Sequence, residues 1–132
     1  MEPSASLRCV VVVTAILPHD ADLAALREHP AYARLFADVA AIDGVRHLRH
    51  NPSGPLTRRT PNGVPASLML SFDLATLPYP TVPQVARVIR ATLGAAGVEP
   101  MRMWANAFCW FSDPHADHGP FEFEIPLDVD RP

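Results

Sequence analysis

PMRMWANAFCWF, residues Pro100 to Phe111, carries both tryptophans of the chain and one of its two cysteines. Taken with period two, Met101, Met103, Ala105, Ala107, Cys109 and Phe111 fall on one side. Trp104, Phe108 and Trp110 fall on the other, with Arg102 and Asn106 among them. A strand with apolar side chains on both faces is covered on both faces. This segment therefore predicts a strand whose second face meets something other than water.

Upstream, residues 7–17, LRCVVVVTAIL, read as a central strand, since β-branched residues run with almost no polar alternation. Pro18 and His19 end it, and Asp20 or Asp22 can cap the helix that Leu23 and Leu26 begin. Pro30 interrupts that stripe and predicts a restart with itself at the first helical position. Tyr32, Leu35, Phe36, Val39 and Ile42 then keep helical spacing up to Gly44. Residues 45–50 form a short polar strand. Residues 51–65 hold four prolines and two glycines and read as a long loop. Residues 66–74 alternate cleanly, with Leu68, Leu70, Phe72 and Leu74 to one side. Thr81 and Gln84 fit a capping box ahead of the stripe Val85, Val88, Ile89, Leu93, which Gly97 ends. A last strand, Phe121 to Leu127, alternates and is placed at an edge by Pro126. Residues 1–6 and 128–132 are expected to fray.

The order strand, helix, strand, strand, helix, strand defines an α+β, ferredoxin-like split βαβ plait. Its antiparallel sheet would have the order 4-1-3-2, with both helices on one face and the C-terminal strand as an extra edge. Residues 1–132 are expected to form one domain. If the ends of the first strand and of 100–111 align, Cys9 faces Cys109 and Leu17 faces Met101. The open face then carries Val10, Val12, Ile16, Met69, Trp104, Phe108 and Trp110. Large aromatics bury about 150–250 Å² each, so the group exceeds the roughly 300–600 Å² patch usual on a monomer. A covering partner is expected, and a second copy packed sheet to sheet is the favoured one.

Composition narrows the classes. The chain has 132 residues, 48 % of them hydrophobic, which suits a folded core and not a disordered segment. A formal charge of −3 gives no general affinity for nucleic acid. All 11 basic residues are arginine, which reads as genome composition. Two cysteines are too few for a secreted disulfide scaffold and are expected as buried free thiols. No run reaches the roughly 18 apolar residues of a membrane span. Residues 9–17 resemble a signal-peptide core, but a central strand explains them as well. The expected location is the cytoplasm, with no cofactor, no nucleic acid and no membrane partner.

The candidate site residues form four groups. Asp73 and Asn106 are polar groups on the apolar open face. Asp73 can pair with Arg8 or Arg102, or move a proton in a pocket where Trp104 and Trp110 hold a flat ligand. The ligand or interface set is Val10, Val12, Met69, Trp104, Phe108 and Trp110. A basic patch, Arg46, Arg49, Arg58 and Arg59, lies in a segment without acids, whereas the tail carries Asp113, Asp117, Glu122, Glu124, Asp128 and Asp130 against Arg131. Such segregation steers association or pairs within a dimer. His115 and His118 have HxxH spacing in a loop, a weak metal signal, and no metal is expected there. His47 and His50 share that spacing, but on a strand their rings point apart. No GxSxG, P-loop, GxGxxG or HExxH motif occurs.

At the level of fold alone, the pattern resembles plaits that dimerise through their sheets, some of them small cofactor-free enzymes and some only binders. The size of the chain and its charged patches suit a homodimeric, non-catalytic binding protein acting on a protein partner of immunity or regulatory type, or on a small apolar molecule. The alternative is a cofactor-independent enzyme of the dimeric α/β-barrel kind, acting on an aromatic or polyketide-like substrate. Fold does not decide between them.

Overall fold

A computed structural model of the chain describes residues 7–50, 56–57, 66–75, 78, 80–111 and 121–127. The central strand β1, Leu7–Ile16, holds four consecutive valines, whose branched side chains suit a pleated surface. It pairs antiparallel with β4, Ser67–Leu74, on one side and with β5, Arg102–Phe111, on the other. Beyond β4 lies β2, Arg46–Arg49, and beyond β5 lies β6, Phe121–Pro126. The order is β2-β4-β1-β5-β6, and all pairings are antiparallel. A two-residue strand β3, Leu56–Thr57, lies within the stretch read as loop and pairs with the same edge of β4 as β2 does. The sheet is therefore longer than four strands. β6 extends it in plane, where Pro126, which lacks an N–H, faces no further strand.

Three helices pack against the sheet: α1, Leu23–Glu28, α2, Pro30–Ala40, and α3, Val82–Ala95. Asp22 caps α1, its Oδ1 accepting from the Ala25 N–H at 3.1 Å. Pro30 does open a new helix. His29 ends α1 and caps α2, its Nδ1 accepting from the Ala31 N–H at 3.0 Å. The expected capping box on α3 is not formed. Thr81 is buried and helical, and makes no side-chain cap, while Gln84 Nε2 donates to the Pro80 carbonyl at 2.8 Å. Proline at the first turn of α3 leaves one N–H fewer to cap. The far end closes as a Schellman turn. Val98 N–H donates to Leu93 O, Gly97 N–H donates to Gly94 O, and Gly97 takes a φ of 75°.

One face of the sheet and the inner sides of the helices share a single core. Val11, Val13, Leu70, Phe72, Ala105 and Ile89 are at most 1 % exposed within it. Each such aliphatic or aromatic side chain contributes about 1.5–3 kcal/mol on burial. The register matches the expected one: Cys9 stands opposite Cys109 on the helix side of the sheet. The state of the thiols does not. Cys9 and Cys109 form a disulfide, their Cα atoms 4.1 Å apart. Pairing within the sheet brings two sulfurs from distant parts of the chain onto the same spot. Counting cysteines gave no sign of this. Among the described residues, no helix is long and apolar enough to cross a membrane.

Candidate binding face

The face of the sheet away from the helices is a grid whose rows follow from the register. One row runs Arg46, Asp73, Val10, Phe108, Glu122. The next runs Arg49, Ser71, Val12, Asn106, Glu124, and the third Met69, Thr14, Trp104, Pro126. Val10, Val12, Ile16, Met69, Trp104, Asn106 and Phe108 are all half-buried. The middle of this face is thus apolar, and its two edges carry opposite charge.

The basic edge depends on a backbone irregularity. β2 advances three residues, from Arg46 to Arg49, while β4 advances two, from Asp73 to Ser71. A bulge of this kind re-aims the side chains around it. It sets Arg46 and Arg49 opposite open-face residues of β4, whereas strict alternation would have turned one of them away. The extra residue includes His47, which adopts a φ of 54°. That left-handed conformation is costly for a residue with a Cβ.

Asp73 anchors this corner. Arg49 Nη2 donates to Asp73 Oδ1 at 2.8 Å and to Ser71 Oγ at 3.2 Å. His47 Nδ1 lies 2.9 Å from Asp73 Oδ2. The Arg49 hydrogen bond, with a further contribution from His47, holds the Asp73 carboxyl below its ordinary pKa, although partial burial opposes this. The expected partners Arg8 and Arg102 are not the ones used. Arg102 instead lies over the Trp104 indole, its Cζ 4.6 Å from the ring centroid, and donates to Glu124 at 3.0 Å. Trp104 Nε1 donates to Asn106 Oδ1 at 2.9 Å, so the two polar candidates Asp73 and Asn106 serve separate networks. His50 is taken up by Phe36 instead, edge-on with ring centroids 4.9 Å apart. The two histidines therefore do not share a site.

A shallow depression of about 230 Å³ opens beside Arg49, lined also by Val12, His50, Met69, Leu70 and Ser71. Among the described residues, no three His, Cys, Asp or Glu side chains gather as metal ligands. Arg58, Arg59, His115, His118 and the side chain of Trp110 lie outside the described residues. His47 and Arg49 were missed as partners of Asp73 because nothing in the residue pattern marks a bulge. The acid-free segment was the one hint that a lone carboxylate nearby would be paired from there. No protein-family model matches the chain, and neither a curated protein nor a solved structure matches it.

Proposed function

We propose that the protein is a homodimer that pairs through the open faces of its sheets. It serves as a small non-catalytic binding protein for a protein partner of regulatory or immunity type, or for an apolar ligand. One observation carries this reading. Val10, Val12, Met69, Trp104 and Phe108 form a continuous half-buried apolar band on the face its own helices leave open. A second copy is the occupant that can cover such a band along its whole length. In this reading the chain is a split βαβ plait extended at one edge by β6.

Sedimentation of the wild-type protein should give twice the chain mass of 14.4 kDa. Trp104→Arg should shift it to monomer while the far-ultraviolet circular dichroism stays unchanged. A wild-type monomer at high micromolar concentration, or an unweakened Trp104→Arg dimer, would overturn the proposal.

The contact between His47 and Asp73 favours a second reading: a cofactor-independent enzyme on an aromatic or polyketide-like substrate. A histidine whose Nδ1 is held by a carboxylate presents Nε2 as a base. In this reading 1,8-dihydroxyanthraquinone, used as a flat phenolic probe, quenches tryptophan fluorescence. His47→Gln weakens that quenching. Absence of quenching counts against it.

A further inference from the structure

The two edges of the open face differ in sign, and this fixes how two copies can meet. Arg46, His47 and Arg49 lie at the β2 edge. Glu122 and Glu124 lie at the β6 edge, opposite the open-face residues Phe108 and Asn106. The middle strand of the order is β1. Two sheets packed face to face by a twofold axis have two orthogonal choices for it. An axis across the strands lays basic edge on basic edge and acid on acid. An axis along the strands lays the β2 edge of each protomer over the β6 edge of the other.

We infer that the homodimer forms about a twofold axis running along β1, with Arg46 of each protomer set against the acidic β6 edge of its partner. The inference rests on the homodimer reading above and adds its geometry. Rotation about an axis along the strands preserves height, so each row of the grid meets its own reversed copy. Val10 and Val12 meet their equivalents on the axis, as an isologous interface requires. Met69 lies over the partner's Trp104, where sulfur and indole attract. Ser71 lies over the partner's Asn106, and Arg46 over the partner's Glu122.

Sheet twist does not undo this. Aligned sheets cross at about 30°, and the edge strands stand about 10 Å from the axis. The resulting shift of about 5 Å is smaller than the roughly 7 Å between rows on one face. Arg46 thus finds Glu122 or Glu124, and both are acids.

The test is a charge-reversal cycle on two exposed residues, Arg46 and Glu122, read as the dimer dissociation constant by sedimentation equilibrium. R46E and E122R should each raise the constant about tenfold, and the double variant should return to within about threefold of wild type. Val12→Cys, on the axis and about 10 Å from its equivalent, should be joined to it by a bis-maleimide of about 10 Å reach, whereas Glu122→Cys, about 20 Å from its equivalent, should not. A double variant weakened by the product of the two single effects, or single variants that tighten the dimer, would overturn the axis but leave the homodimer standing. Cross-linking through Glu122→Cys in place of Val12→Cys would do the same. A wild-type chain of monomer mass would remove the homodimer itself.

Discussion

His47 Nδ1 lies 2.9 Å from Asp73 Oδ2, and His47 reaches that place with a φ of 54°. Side chains with a Cβ avoid this backbone region, and departures of this kind cost about 1–3 kcal/mol. Here the cost is offset by the two ladder contacts of β2, by the Arg49–Asp73 ion pair and by the His47–Asp73 hydrogen bond. Both depend on the bulge. The backbone distortion and the basic edge are one feature.

The bulge predicts an inverted preference at position 47. His47→Gly and His47→Ala both lose the imidazole, but only glycine is at ease at positive φ. His47→Gly should therefore be about 1 kcal/mol more stable than His47→Ala in urea denaturation. Equal stabilities would show that the backbone relaxes there without penalty.

Asp73 sets an acid limit on the same corner. Its pKa is lowered in the folded state, above all by Arg49. The stabilisation is therefore present above the ordinary carboxylate range and lost as pH falls through the folded value. Asp73→Asn should cost about 1 kcal/mol at pH 7. The difference from wild type should shrink as the pH falls below the ordinary carboxylate range. A gap that stays the same in acid would contradict the ion-pair account.

The disulfide closes a loop with its ends 100 residues apart in sequence. Removing a bridge of this span should lower stability by about 2–5 kcal/mol. A Cys9→Ala/Cys109→Ala variant and reductant-treated wild type should lose melting temperature together. Unchanged melting in reductant would refute the contribution. Disulfides persist in oxidising compartments. The thiol state of protein extracted under alkylating conditions therefore also tests the cytoplasmic placement expected from the sequence.

His29 serves two helix ends at once. Its main-chain N–H donates to Leu26 O and its ring accepts from Ala31. His29→Ala keeps the first bond and loses the second, for about 1 kcal/mol. Thermal unfolding of the variant measures it, and a change within error would show that water replaces the ring.

Much of this architecture is legible in residue order. The valine run of β1, the strict alternation of Leu68 to Leu74, and Pro30 at a helix start all act through local chemistry. They place strands, faces and the new helix. The Cys9 to Cys109 register follows from aligning two strands of equal length. The bridge itself does not, because a count of two thiols says nothing about distance. Thr81 and Gln84 satisfied a capping pattern, yet burial of Thr81 against the core took precedence over the cap. The bulge at His47 is invisible for a related reason. The segment from Arg46 to Arg49 is exposed except for Leu48, so no hydrophobic alternation exists there to be broken. Asp73 was a candidate from the start, but its partners depend on that one inserted residue.

The central position of β1 also sets a timetable. The ribosome makes this most apolar strand before either of its neighbours, and β5 ends 95 positions after β1 does. At about 5–20 residues per second, β1 waits roughly 5–20 s for the strand that completes it. During that interval its valines have no sheet to join. Nascent chains should therefore engage chaperones early, and overexpression should be limited by synthesis rate more than by the stability of the finished fold.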